Sequence, residues 1–151
     1  MKDTVTGLEW QRCSVGQTWN AETKHCDGSV IGYNWFGAQG LTKAGGFRLP
    51  TITELRSLVY CSSGIPITIG MTLDGVGCSE PSGPTFTRPT IVTAAFPDVP
   101  LTSTVRSHYW TSSTSADDPN RGRGVSFYRG NASSGPKDTP GLSARLVRTG
   151  N

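Results

Sequence analysis

Cysteine spacing limits what this chain can fold into more than any other feature. The four cysteines are Cys13, Cys26, Cys61 and Cys78, and four cysteines allow three pairings. Their spacing favours sequential bridges, Cys13–Cys26 and Cys61–Cys78, each closing a short glycine-bearing loop. In the chain-entropy account, a crosslink over a loop of this size stabilises a fold by about 3 kcal/mol. A zinc site and unpaired buried thiols are the competing readings, and zinc needs ligands paired at C-x-x-C or H-x-x-x-H spacing. No such pair occurs, and His25 beside Cys26 is the nearest approach. Disulfides imply an oxidising compartment, so a secreted or cell-surface location is expected.

A stapled fold is also what the composition asks for. Hydrophobic residues make up 34% of the chain, against 19 glycines and 10 prolines, a balance suited to short elements and long loops. Four Trp, four Tyr and five Phe supply core and surface anchors, which separates the chain from disordered sequences. A length of 151 residues fits one domain, with a core of ordinary size. No apolar run approaches the roughly 18 residues of a membrane span. The first ten residues are polar and lack the apolar centre of a signal peptide, so a mature or trimmed piece of a longer protein is expected.

Two helices are legible. One is expected over residues 35–43, with Asn34 as N-cap and Gly45-Gly46 as the stop; Gly37 and Gly40 weaken it. The second follows Pro50, with Thr51 and Glu54 forming a capping box. Ile52, Leu55, Leu58 and Val59 then make one apolar stripe facing a core. Short strands are expected around the Gly7 turn in residues 4–10, near residues 17–20, and over residues 107–112, 124–128 and 143–148. Residues 114–123 and 129–141 read as polar, glycine-rich loops. Residues 62–86 shift to Gly, Pro, Ser and Thr, a length of irregular chain that usually marks a functional or stapled loop.

Charge is uneven. Residues 1–100 hold seven basic and eight acidic side chains, and residues 101–151 hold seven basic against three acidic, giving −1 and +4. The C-terminal third is therefore the candidate face for an anionic partner. Its contact candidates are Tyr109, Arg121, Arg123, Tyr128, Arg129 and Asn131. Arginine offers forked donors to sulfate or carboxylate, asparagine pairs with hydroxyls, and tyrosine lays a flat face against a sugar or a protein partner. Asp117, Asp118 and Asn120 carry the oxygen ligands that calcium prefers, although an Asp-rich turn before Pro119 is the favoured reading. No other cofactor is expected. The basic residues are isolated by glycines and no helix carries them, which disfavours nucleic acid. Membrane insertion has no supporting segment. No serine sits in a Gly-x-Ser-x-Gly elbow, and His25 and His108 are the only histidines, so catalysis is not expected.

Several phrases, in order, resemble one bacterial family. They are Thr4 to Trp10 with Gln11-Arg12-Cys13-Ser14-Val15-Gly16-Gln17-Thr18-Trp19, then Gly46-Phe47-Arg48-Leu49-Pro50-Thr51-Ile52-Thr53-Glu54-Leu55, then Phe96-Pro97, Tyr109-Trp110-Thr111-Ser112-Ser113, Val125-Ser126-Phe127 and Ala144-Arg145-Leu146-Val147-Arg148. This pattern is similar to the Lcl C-terminal domain of a bacterial collagen-like adhesin. The match spans nearly the whole chain, and residues 62–87 depart from it as an insertion with its own disulfide. Arg48-Leu49-Pro50-Thr51 paired with Arg145-Leu146-Val147-Arg148 also resembles formylglycine-generating enzymes and retroelement-diversified variable proteins. The late paired cysteines of those enzymes are missing here.

The resemblance implies an α+β, C-type lectin-like fold, with two short helices, a small twisted antiparallel sheet and long loops. It implies that Trp110 and Phe127 are core residues and that Arg145 and Arg148 are internal salt-bridge partners. The Glu-Pro-Asn and Trp-Asn-Asp motifs of calcium-dependent sugar binders are absent. The implied function is a surface adhesin or ligand-binding domain for a glycan or host-surface ligand, with sulfated glycans as one class. The alternatives are an assembly domain of an extracellular fibre or pilus, forming homo-oligomer contacts, and a diversified receptor-binding protein.

Overall fold

A computed structural model describes residues 1–62, 77–78, 86–102 and 104–150, so most of the expected insertion lies outside the described residues. The elements run β1 (Leu8–Trp10), β2 (Gln17–Asn20), β3 (His25–Gly28), α1 (Trp35–Gln39), α2 (Ile52–Arg56), β4 (His108–Thr114), β5 (Arg121–Ser126), β6 (Asn131–Pro136) and β7 (Val147–Thr149). Strands β4, β5 and β6 form an antiparallel sheet in that order. β1 pairs antiparallel with β7, and β2 forms a hairpin with β3. The chain is thus α+β, with small antiparallel sheets, two short helices and two disulfides, Cys13–Cys26 and Cys61–Cys78. The sequential pairing expected from spacing is the one formed.

The three-stranded sheet separates two apolar clusters because successive strand side chains point to opposite faces. Tyr109, Val125 and Phe127 meet Leu55, Leu58, Ile91, Phe96, Val99, Trp10 and Val147 on one side. Trp110 meets Ala38, Leu49, Leu142, Ala144 and Leu146 on the other. Trp110 and Phe127 are core residues, 1% and 0% exposed. Gly122 is required on the second face, because a Cβ there would stand 2.2 Å from the Trp35 ring. Between the clusters runs the segment after Leu142, stitched to β4 by Trp110 N–H to the Ser143 carbonyl and Ser143 N–H to the His108 carbonyl.

Both helices start where the sequence indicates and end sooner. Asn34 Oδ1 accepts from the Gly37 N–H at 2.8 Å, but α1 stops at Gln39, with Gly40 as its C-cap. A glycine-interrupted run has too little propensity to continue without packing. In α2 the capping box closes both ways, Thr51 Oγ1 accepting from Glu54 N–H and Glu54 Oε2 from Thr51 N–H. Leu58 and Val59 lie in the turn beyond Ser57, yet still extend the stripe into the core. Thr51→Ala is expected to cost about 1 kcal/mol in urea unfolding, the usual worth of an N-cap.

Glu54 is also held by a forked Arg48 guanidinium at 2.9 and 2.7 Å. That hydrogen bonding, with the Thr51 N–H, sets its pKa below the ordinary carboxylate value despite partial burial. Asp98 is lowered in the same way, chiefly by the Cys26 N–H at 2.7 Å, with His25 adding to it. A depressed folded pKa adds stability above the unfolded pKa, and that stability is lost as pH falls through the folded value. The urea midpoint is therefore expected to drop on acidification from about pH 5 to about pH 3. Glu54→Gln should make the drop smaller.

Strands β3 and β6 were not expected, and residues 129–141 read instead as a loop. The β6 sequence, Asn131-Ala132-Ser133-Ser134-Gly135-Pro136, has no hydrophobic alternation, so its strand form comes from pairing with β5 across the turn at 127–130.

Candidate ligand-binding surface

Tyr109 is not a surface contact. It is fully buried, with its ring edge-on to Phe127 at 5.2 Å and its hydroxyl 2.7 Å from Ser14 Oγ. β4 turns this ring toward the Leu55–Phe96–Phe127 cluster and Trp110 toward the other face. The other five candidates do not converge on one site either. Arg121 and Arg123 share the outer half of β5, where Arg121 donates to the Ser134 carbonyl at 2.6 Å and to Ser134 Oγ at 3.3 Å. Tyr128, Arg129 and Asn131 lie past the other end of β5, roughly 17 Å from Arg121 and roughly 10 Å from Arg123 by strand rise. In the acidic loop, Asp118 Oδ1 accepts from Asn120 N–H at 2.8 Å, and the Asp118 carbonyl accepts from Arg121 N–H. The Asp118 carboxylate thus closes the expected turn. Among the described residues, no group of three His, Cys, Asp or Glu side chains could hold a metal ion.

Tyr128 and Arg129 instead join residues that sequence reasoning passed over. The Arg88 guanidinium lies over both the Phe86 and Tyr128 rings, at 4.5 and 4.6 Å, and its Nε donates to the Tyr128 carbonyl. The Arg129 carbonyl accepts from Cys78 N–H at 2.8 Å, and a Cβ on Gly130 would stand 2.7 Å from Cys78 Sγ. The second disulfide therefore anchors chain from the insertion against the β5–β6 turn. At the opposite end, Lys137 Nζ stands 4.1 Å over the Trp35 ring, beside an open hollow lined by Phe36, Pro119, Asn120, Pro136 and Asp138. Phe36 is 61% exposed there.

A third cation–ring group lies on the N-terminal side. The Arg12 guanidinium stacks 4.2 Å over Trp19, and Arg148 stacks 4.7 Å over Phe47. Arg12, Trp19, Lys43 and Phe47 line one cleft of about 330 Å³, together with Glu9, Trp10, Gln17 and Cys13. Cys13–Cys26 builds one wall, because Cys26 pairs directly with Trp19 across the β2–β3 hairpin. Arg148 bonds Glu9 at 2.7 Å, the internal pair expected from the resemblance. Arg145 is fully buried, as expected, but among the described residues it meets no carboxylate: its Nη1 donates to the Gln11 and Arg12 carbonyls, and its guanidinium faces Phe96. Burial lowers its pKa, opposed by the nearby Tyr109 hydroxyl. The sequence signal for this cleft was present in Gln11-Arg12-Cys13 and in the Trp of the first cysteine loop. The disulfide brings Trp19 beside Arg12, and Arg148, bonded to Glu9 and to the Gly45 carbonyl and stacked on Phe47, brings residues 43–47 to them.

Among the described residues, no helix is long and apolar enough to cross a membrane. No curated protein matches the chain, and no solved structure does. The family model described as the Lcl C-terminal domain matches residues 1–148. Together with the two disulfides, that match indicates an extracytoplasmic domain with an adhesin-like role. From its opening strand to the last arginine of β7, the chain belongs to the Lcl C-terminal domain family.

Proposed function

We propose that this chain is the ligand-binding head of an extracellular adhesin, a C-type lectin-like domain that recognises anionic glycan chains and performs no catalysis. The observation that carries the reading is the set of ring-stacked cations on separate parts of the surface: Arg12 on Trp19, Arg88 on Phe86 and Tyr128, and Lys137 on Trp35. A cation held against a ring loses less conformational freedom when an anion arrives, so it binds more tightly than a mobile surface charge. Several such groups suit a ligand whose charge repeats along a chain. Pairing of β1 with β7, two short helices and a small central sheet support the lectin-like reading of the fold.

The test is retention on sulfated and uronate-bearing polymers, compared with neutral polysaccharide, at graded salt. Binding confined to the charged polymers and falling by about tenfold or more from roughly 50 to 500 mM salt is the expected result. Absent or salt-independent binding refutes recognition of anionic glycans.

A further inference from the structure

We propose that a small hollow on the Trp110 face of the central sheet is a site for an acetamido group, carried by an N-acetylated sugar unit. This rests on the glycan-binding reading above and adds a neutral contact to its charged ones. The register puts His108, Trp110, Gly122, Gly124, Ser133 and Gly135 on one face of β4, β5 and β6. Trp110, Gly124 and Gly135 line a hollow of about 130 Å³ there, with Val105, His108 and Leu142 around it. Gly135 is the residue that points to a ligand. Glycine inside a strand weakens it, and often marks a place where a ligand or another backbone approaches closely. At Gly122 a Cβ would meet the Trp35 ring at 2.2 Å, and at Gly124 the Tyr109 carbonyl at 2.8 Å. Neighbours in the chain therefore exclude a side chain at both. At Gly135 the nearest described atom to such a Cβ belongs to the Trp110 ring, at 3.8 Å, an ordinary contact, and φ lies outside the left-handed region. Neither backbone nor packing calls for glycine at this position. What it leaves open is the hollow.

Size and charge then select the group. A cavity of about 150 Å³ holds one benzene, so this slightly smaller hollow takes roughly four to six non-hydrogen atoms, an acetamido group and not a whole pyranose. Among the described residues, no Lys, Arg, Asp or Glu lines it. Burial lowers the His108 pKa, which keeps that imidazole neutral near pH 7. A carboxylate or ammonium would lose water there and meet no counter-charge. The Thr104 carbonyl, 3.4 Å from His108 Nδ1, can only accept, so Nδ1 carries the proton and Nε2 is left as an acceptor. Ser133 shares the face and brings a hydroxyl donor. A secondary amide complements both, its N–H suiting the imidazole and its C=O the hydroxyl, while its methyl suits the surface of Trp110, Val105 and Leu142. A bare hydrocarbon group would leave the polar groups unmet.

Backbone-amide NMR titration of the intact, oxidised protein with the methyl glycosides of N-acetylglucosamine and N-acetylgalactosamine tests the site. Methyl glucosaminide and methyl glucoside are the controls without the acetyl group, and Nε-acetyl-lysine carries the same group on a peptide side chain. At least one N-acetyl sugar is expected to shift the Gly124, Ser133 and Gly135 amides with Kd of about 1–10 mM, and both controls to bind at least about fivefold more weakly. Gly135→Val fills the hollow and should weaken binding by about tenfold or more, without lowering the urea midpoint, because valine suits a strand better than glycine. Ser133→Ala should weaken it by about fivefold. No shift of these amides at about 50 mM of either N-acetyl sugar, equal binding of the controls, or wild-type affinity in Ser133→Ala or in folded Gly135→Val overturns the proposal. Binding of Nε-acetyl-lysine alone overturns the sugar as the source of the group. If charged polymers bind while both N-acetyl sugars fail, this site is wrong and the adhesin reading stands. If the polymers fail as well, both fall.

Discussion

Replacing Tyr109 by alanine is expected to lower the unfolding free energy by about 3–5 kcal/mol, the range for deleting a buried aromatic ring. Tyr109 is 0% exposed, packs edge-on against Phe127 and sits in the cluster that includes Leu55, Phe96 and Val147. Tyr109→Phe isolates the hydroxyl. It leaves Ser14 Oγ, itself in a buried residue, without its 2.7 Å partner, and should cost about 1 kcal/mol. It also removes a neighbouring hydroxyl that offsets the desolvation of Arg145. Urea unfolding of the two variants separates ring packing from hydroxyl pairing. A surface-contact role for Tyr109 would instead predict wild-type stability and lost ligand binding.

Loss of the first disulfide, by Cys13→Ser with Cys26→Ser, is expected to cost about 3 kcal/mol, within the range for native bridges in small extracellular domains. The bridge closes a separation of 13 residues and joins the β2–β3 hairpin to the segment after β1. The hairpin also meets the body through the Asp98 carboxylate, which accepts from Cys26 N–H and meets His25 Nδ1, and through the Arg12 guanidinium on Trp19. The hairpin is thus expected to loosen before the central sheet does, and Trp19 to leave the Arg12 guanidinium. Fluorescence and circular dichroism in the double variant should show a changed Trp environment ahead of any loss of sheet signal. Coincident loss of both would contradict a separately stapled hairpin.

What could be read from the residues follows from how local each signal is. The α2 capping box, the Asn34 cap, the Gly7 turn and strand β4 are set by a few neighbouring side chains, and each is formed. β5 instead runs over Arg121–Ser126, so the expected strand at 124–128 begins three residues earlier, in the expected loop, and ends before Phe127. Strand β6 was invisible because small polar residues carry no periodicity, and its form is imposed by the partner strand. The binding surface was less legible still. Arg121 and Arg129 were identified by chemistry, but residues at opposite ends of a strand cannot share a ligand group. The stacked cations join residues far apart in the chain, such as Arg88 with Tyr128 and Lys137 with Trp35. Tyr109 went wrong for a related reason: an alternating strand presents one aromatic to each face, and the burial of both faces here depends on the two helices and the segment after Leu142.

Peptide mapping of natively purified protein, digested without reduction after free thiols are blocked, tests the account at its base. Linked peptides joining Cys13 to Cys26 and Cys61 to Cys78, with no blocked thiol, are the predicted result. Four blocked thiols, or a crossed pairing, would contradict it, because the Trp19 wall of the cleft and the cover on the β5–β6 turn would then have nothing to hold them in place.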